Sequence, residues 1–177
     1  MFVVSIFAGE NSYSRVIWYI FHYDYVSLVK EGTTLKDNKF ETNVSGANAV
    51  GIKTGAYHFV RFGSKSEALA EAKFFLSVVK NVKLSYPLVL DLEVNQRNVS
   101  KSVLTDAAVA FLREVEKAGY FAMFYSYKDF LENSLDESKL KPFALWAARY
   151  NSILGRMRTS GSILIVERCQ AFPGMST

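Results

Sequence analysis

Pro87-Leu88-Val89-Leu90-Asp91-Leu92-Glu93-Val94 is apolar except for two acids. A short apolar run of this kind reads as a strand buried on both faces. Asp91 and Glu93 stand at i and i+2. Side chains two apart in a strand share a face, with Cα atoms roughly 6.5–7 Å apart. Carboxylates that close repel, and partial burial disfavours ionisation, so one of the two should hold its proton to unusually high pH. A general acid beside an ionised partner requires this, and glycoside hydrolysis uses such a pair. An acid pair solvated at a strand end, or bound to nearby lysines, would show the same pattern. The two residues alone do not decide between these roles.

On both sides of this strand the chain alternates strand-like and helix-like segments. Residues 25–29 form a short apolar run. Residues 37–49 read as a helix, with Asp37 as N-cap and Gly51 just past the end. Residues 53–59 read as a strand. Ser64-Lys65-Ser66-Glu67 has the form of a capping box opening a helix to about residue 80, with an apolar stripe through Leu69, Ala72, Leu76 and Val79. Residues 102–117 carry Leu104, Ala108, Phe111, Leu112 and Val115 on one helical face, ended by Gly119. Residues 121–126 and 144–148 are further strands. This alternation predicts a parallel sheet covered by helices. No glycine-rich phosphate loop follows a strand, which counts against a nucleotide-binding doubly wound sheet. An α/β barrel of the (β/α) TIM-like type is the expected fold. Such barrels place their working residues at the C-terminal strand ends, which would gather Tyr57, His58, Asp91, Glu93, Tyr125 and Trp146 around one mouth. There is no internal repeat, low-complexity tract or linker, so the 177 residues form one domain.

Composition narrows the function classes. Half the residues are hydrophobic and 15% are aromatic, which excludes a disordered chain. Tyrosine fills cores, and it also lines sugar clefts with a flat face and a hydrogen-bonding hydroxyl. The net charge of +4 suits an anionic partner such as a bacterial wall and is too small to argue for nucleic acid. No basic run with interleaved aromatics occurs. The lone Cys169 allows no intrachain disulfide, and two histidines with one cysteine make a zinc-type metal site an unpromising reading. No apolar run approaches the roughly 18–20 residues of a membrane span. The apolar start, residues 1–9, is short and is not preceded by Lys or Arg, so no secretory signal is expected.

Four blocks occur in order: Gly55-Ala56-Tyr57-His58-Phe59, Tyr86-Pro87-Leu88-Val89-Leu90-Asp91-Leu92-Glu93, Tyr125-Ser126-Tyr127 and Leu145-Trp146-Ala147-Ala148-Arg149-Tyr150. They resemble the successive strand ends of glycoside hydrolase family 25, the muramidases that include bacteriophage endolysins. Lys30-Glu31-Gly32-Thr33-Thr34 resembles that family's second-strand turn, and the likeness spans residues 25–156. The resemblance implies cleavage of the β-1,4 bond between N-acetylmuramic acid and N-acetylglucosamine in bacterial peptidoglycan, by a monomer needing no cofactor. It makes Glu93 the proton donor. Asp91 becomes the second acid, which orients the acetamido group or stabilises the oxocarbenium-like transition state. Tyr57, Tyr125 and Trp146 match cleft aromatics that hold sugar rings, although core packing would also employ them. His58 fits a buried, hydrogen-bonded histidine better than a catalyst, and His22 receives no role.

Both termini depart from the family pattern. The family opens with Gly-x-Asp-x-Ser, soon followed by Asp-Trp. Here residues 2–7 lack an acid, the first acids are Glu10 and Asp24, and Trp18 follows Ile17. Towards its end the family carries Ala-Asp-Ile-Trp-Gln-Tyr and later Gly-Ile-x-Gly-Asn-Val-Asp. This chain has Met157-Arg158-Thr159-Ser160-Gly161-Ser162 instead. One choice of synonymous codons for that stretch, ATG-CGG-ACA-TCT-GGC-AGT-AT, encodes Ala-Asp-Ile-Trp-Gln-Tyr when read from its third base. The same shift through residues 171–177 permits Gly-Ile-Pro-Gly-Asn-Val-Asp. A one-base frameshift near Arg156 accounts for both blocks at the right separation. The barrel is therefore expected to be incomplete at its ends, with residues 157–177 a shifted tail in which Ile163-Leu164-Ile165-Val166 still has the β-propensity to add as a strand. Three outcomes stay open: an active muramidase with an altered site, a non-catalytic relic that binds wall glycan, and an unrelated α/β barrel hydrolase with the same acidic strand.

Overall fold

A computed structural model describes residues 25–31, 33, 35–36, 39–150 and 162–168, with the backbone alone described for 25–31, 35–36, 148–150 and 162–168. The strands are β1 (Tyr25–Glu31), β2 (Leu35–Lys36), β3 (Thr54–Phe59), β4 (Leu88–Asp91), β5 (Ala122–Tyr127), β6 (Ala144–Tyr150) and β7 (Ser162–Arg168). The helices are α1 (Phe40–Ala49), α2 (Lys65–Val79), α3 (Lys101–Lys117), α4 (Lys128–Ser134) and α5 (Glu137–Leu140). The strands form one sheet in the order β2-β1-β3-β4-β5-β6-β7. β1, β3, β4, β5 and β6 run parallel, while β2 and β7 are antiparallel additions at the two edges. This is the expected α/β arrangement of a (β/α) barrel, and among the described residues the sheet does not close. β7 includes Ile163-Leu164-Ile165-Val166, so that segment does add as a strand, alongside β6. No described helix is long and apolar enough to cross a membrane.

Period-two alternation gives the sheet two unlike faces. Leu88, Leu90 and Leu92 are at most 1% exposed and pack into the main core, which α2 and α3 cover. The five residues expected on the inner face of α3 are all buried there. In α2 the buried line runs through Ala68, Glu71, Ala72, Phe75, Val78 and Val79, with the expected Leu69 and Leu76 on its flank. Small alanines let this helix approach its neighbours closely, so they take the centre of the contact and the leucines wrap its edge.

Helix starts follow the capping logic. Ser64 Oγ accepts from the Glu67 N–H at 3.2 Å, and Glu67 Oε2 accepts from the Gly63 N–H at 2.7 Å. The reciprocal bond thus falls one residue earlier than in the usual box. Ser100 Oγ accepts from the Val103 N–H at 3.3 Å and opens α3. α1 starts at Phe40, behind Lys39, with no side-chain cap. The expected cap, Asp37, lies outside the described residues. β4 is shorter than the apolar run suggested, because it ends at Asp91 rather than at residue 94. Two main-chain bonds nevertheless hold that end: Val60 N–H to the Asp91 carbonyl (3.2 Å) and Leu92 N–H to the Tyr125 carbonyl (2.9 Å).

Candidate active site

Strand register builds the site in two levels. Tyr57, Val89, Met123 and Ala144 are successive partners across β3, β4, β5 and β6, and two residues on, Phe59, Asp91, Tyr125 and Trp146 are partners in turn. These positions lie on the face away from the main core. Val89, Met123, Ala144 and Trp146 form a second apolar cluster there, with Tyr57, Tyr86, Phe121 and Tyr125 packed against it. Tyr125 and Trp146 meet edge to face, with ring centroids 5.0 Å apart and planes at 69°. The structure thus brings Tyr57, Asp91, Tyr125 and Trp146 onto one surface. Glu93 follows two residues after Asp91, separated from it by the fully buried Leu92, and its charge acts on Asp91.

Both acids are harder to ionise than usual. Burial, and then the neighbouring charge of Glu93, push the Asp91 carboxyl up from 3.8 to about 8. Its Oδ1 is cut off from solvent and has no hydrogen-bond partner among the described residues. Burial also raises Glu93 above its usual 4.5. The acidic strand predicted one perturbed carboxyl; here both are shifted, and Asp91 carries the larger shift. Around neutral pH the pair therefore holds a proton that two ordinary carboxylates would have lost. Such a pair can donate a proton and leave a negative charge beside a developing cation.

His58 does not join this surface. It points from β3 into the opposite face, fully buried, with its ring centroid 5.4 Å from those of Phe75 and Phe111. Its Nε2 lies 2.9 Å from Glu71 Oε2, which also accepts from the Arg61 N–H at 3.2 Å. Placing His58 at the mouth was wrong because residue 58 is out of phase with 57 and 59 on the pleat. The reading of His58 as a buried, hydrogen-bonded residue stands. Glu71 went unnoticed in the sequence. An acid at i+3 and i−4 from Ala68 and Phe75, on the apolar stripe of α2, was the available signal. No cluster of three or more His, Cys, Asp or Glu side chains suited to a metal occurs among the described residues. His22, Trp18, Cys169 and most of the tail from 157 lie outside the described residues.

The model for glycosyl hydrolases family 25 matches residues 4–160. The lysozyme of Streptococcus phage Cp-1 is 34% identical over 126 residues, which is 69% of this chain and 35% of that protein. The D-alanyl-L-alanine endopeptidase of Streptococcus phage B30 is 41% identical over 100 residues, 54% of this chain and 22% of that one. The modular Cpl-1 endolysin, solved in complex with a peptidoglycan analogue, superposes with a TM-score of 0.59 at 30% identity, covering 76% of this chain and 39% of the endolysin. This chain therefore spans between 22% and 39% of the length of these relatives.

Proposed function

Since this chain belongs to the glycosyl hydrolases family 25, we propose that it is a peptidoglycan hydrolase, a muramidase cutting the β-1,4 bond between N-acetylmuramic acid and N-acetylglucosamine. The observation that carries this reading is the Asp91–Glu93 pair at the end of β4, perturbed by burial and standing beside Tyr125. Glu93 gives its proton to the glycosidic oxygen as the bond from that oxygen to the muramic acid C1 breaks. Positive charge builds on the sugar ring, and water then adds to C1 and returns the proton. Substrate closing over Glu93 strips water from it and raises its proton affinity further. Asp91 is largely protonated at neutral pH, which favours hydrogen bonding to the acetamido group over charge stabilisation as its role there. Tyr57 and Tyr125 offer sugar-facing rings. Trp146 is only 9% exposed and serves largely to back Tyr125.

We also propose that the stretch from Met157 arose by a one-base shift and that the chain is weakened by it. Met157-Arg158-Thr159-Ser160-Gly161-Ser162 standing where the family carries Ala-Asp-Ile-Trp-Gln-Tyr supports this. The shifted tail lacks the acid that the family places in the cleft, and lost preorganised charge slows a cationic transition state. Turbidity loss of a peptidoglycan suspension tests both ideas. The expected result is slow lysis by this chain and faster lysis, with higher melting, when the frame is restored. A restored chain that lyses no faster refutes the frameshift account. Failure of both to lyse, with retention on insoluble wall, would favour a glycan-binding relic.

A further inference from the structure

Glu93 sits on a short span between two fixed points. On one side Leu92 is fully buried and its N–H donates to the Tyr125 carbonyl at 2.9 Å. On the other, Asn95 brackets the turn into α3: Nδ2 donates to the Val99 carbonyl at 2.8 Å and Oδ1 accepts from the Val99 N–H at 3.1 Å. Asn98 closes the same turn with φ +50° and donates to the Asn95 carbonyl at 3.1 Å. This left-handed backbone suits Asn better than most residues.

The neighbouring loop, from β3 to α2, is anchored as firmly. Val60 N–H holds the Asp91 carbonyl, Arg61 N–H holds buried Glu71, and Gly63 N–H holds Glu67. The two loops touch at Gly63. A Cβ there would overlap Cβ and Cγ of Arg97 and contact Val99 Cγ1 at 3.4 Å. Gly63 does not have a positive φ, so space is what demands glycine. The Arg97–Glu67 ion pair beside it is exposed and 3.7 Å long, too weak to hold the loops. Backbone bonds and steric fit do that.

We propose that Gly63 and Asn95 are positioning residues for Glu93. Bare backbone at Gly63 lets the stem of Arg97 close down. That contact, with the Asn95 bracket, fixes where the Glu93 carboxyl stands relative to Asp91. The inference rests on Glu93 being the proton donor. The sugar-facing tyrosines lie on β3 and β5, outside these loops, so a loop shift should spare binding and slow chemistry.

The test uses the full chain with Gly63→Ala, Arg97→Gly and the double substitution, because only glycine at 97 removes both overlapping atoms. Displacing a catalytic group by about 1 Å costs roughly 10²-fold, so Gly63→Ala should lower kcat about tenfold or more and leave KM nearly unchanged. It should also shift the pH titration of the Glu93 carboxyl, read by carbon NMR. The double substitution should restore both. Asn95→Ala supplies the same readouts if Gly63→Ala does not fold. Titration is measured without turnover, so a chain that lyses nothing even with its frame restored, yet shows a shifted Glu93 titration restored in the double variant, upholds the positioning role and defeats the muramidase reading. A folded Gly63→Ala or Asn95→Ala whose Glu93 titrates as in the parent overturns the proposal, as does a loss that Arg97→Gly fails to restore.

Discussion

Glu71 and Asp91 are acids on opposite sides of one sheet, and their surroundings differ in kind. Glu71 is buried in the helix-side core, where its Oε2 meets both the His58 ring and the Arg61 N–H. Asp91 is half-buried on the other side, and its Oδ1 has no hydrogen-bond partner among the described residues. A buried acid with partners holds structure together. A desolvated acid without them costs stability, and folds tolerate such costs chiefly where chemistry needs them. The contrast lies in the two acids rather than in the two faces: Glu71 Oε2 has two partners, whereas Asp91 Oδ1 has none among the described residues.

The largest expected effect lies on the cleft side. Glu93→Gln keeps the shape and removes the proton, and loss of a general acid costs about 10²–10⁴-fold in rate. The lysis rate should fall by that factor while the melting temperature stays level or rises. A variant that lyses walls at the parental rate would remove the catalytic half of the contrast.

The helix side should answer with stability instead. Glu71→Ala takes the Glu71 acceptor away from fully buried His58 and from the Arg61 N–H, and removing one partner of a buried hydrogen bond costs about 1–3 kcal/mol. In a domain of this size each kcal/mol moves the melting point by about 2–4 °C. Glu71→Gln, which keeps an acceptor, should lose less. If Glu71→Ala melts with the parent, the pair is not what fastens β3 to α2.

Much of this division was legible in the sequence, and the failures have physical causes. The Ser64–Glu67 cap, the α3 stripe and the alternation of strands with helices follow from local chemistry, and all appear. The placement of Asp91 on the pleat opposite Leu90 and Leu92 follows from period two. Strand ends are set by neighbours: β4 stops at Asp91 where its register with β3 runs out at Phe59, which no pattern within the strand encodes. The buried face of α2 depends on how closely it approaches α3, so Leu69 and Leu76 misled. Glu71 looked like an ordinary surface acid because its partner lies thirteen residues away in β3. Gly63 gave no sign, since the atom it must make room for belongs to Arg97.

The smallest effect is the one that tests the contrast most directly. Asp91→Asn replaces an acid whose folded pKa is pushed up to about 8 from 3.8. Between those values the folded chain keeps a proton that the unfolded chain has lost, so stability falls as pH rises. The contribution is fully present below about pH 3.8 and is lost as pH climbs through about 8. Asparagine cannot ionise, so the variant should escape this decline. Near pH 4 the two proteins should melt almost together. Around pH 8 the variant should be the more stable by about 0.5–2 kcal/mol, the usual gain from relieving one unfavourable site. Parallel melting curves for Asp91→Asn and the parent from pH 4 to pH 9 would mean that Asp91 is solvated after all, and that the two acids do not differ in the way their hydrogen bonds suggest.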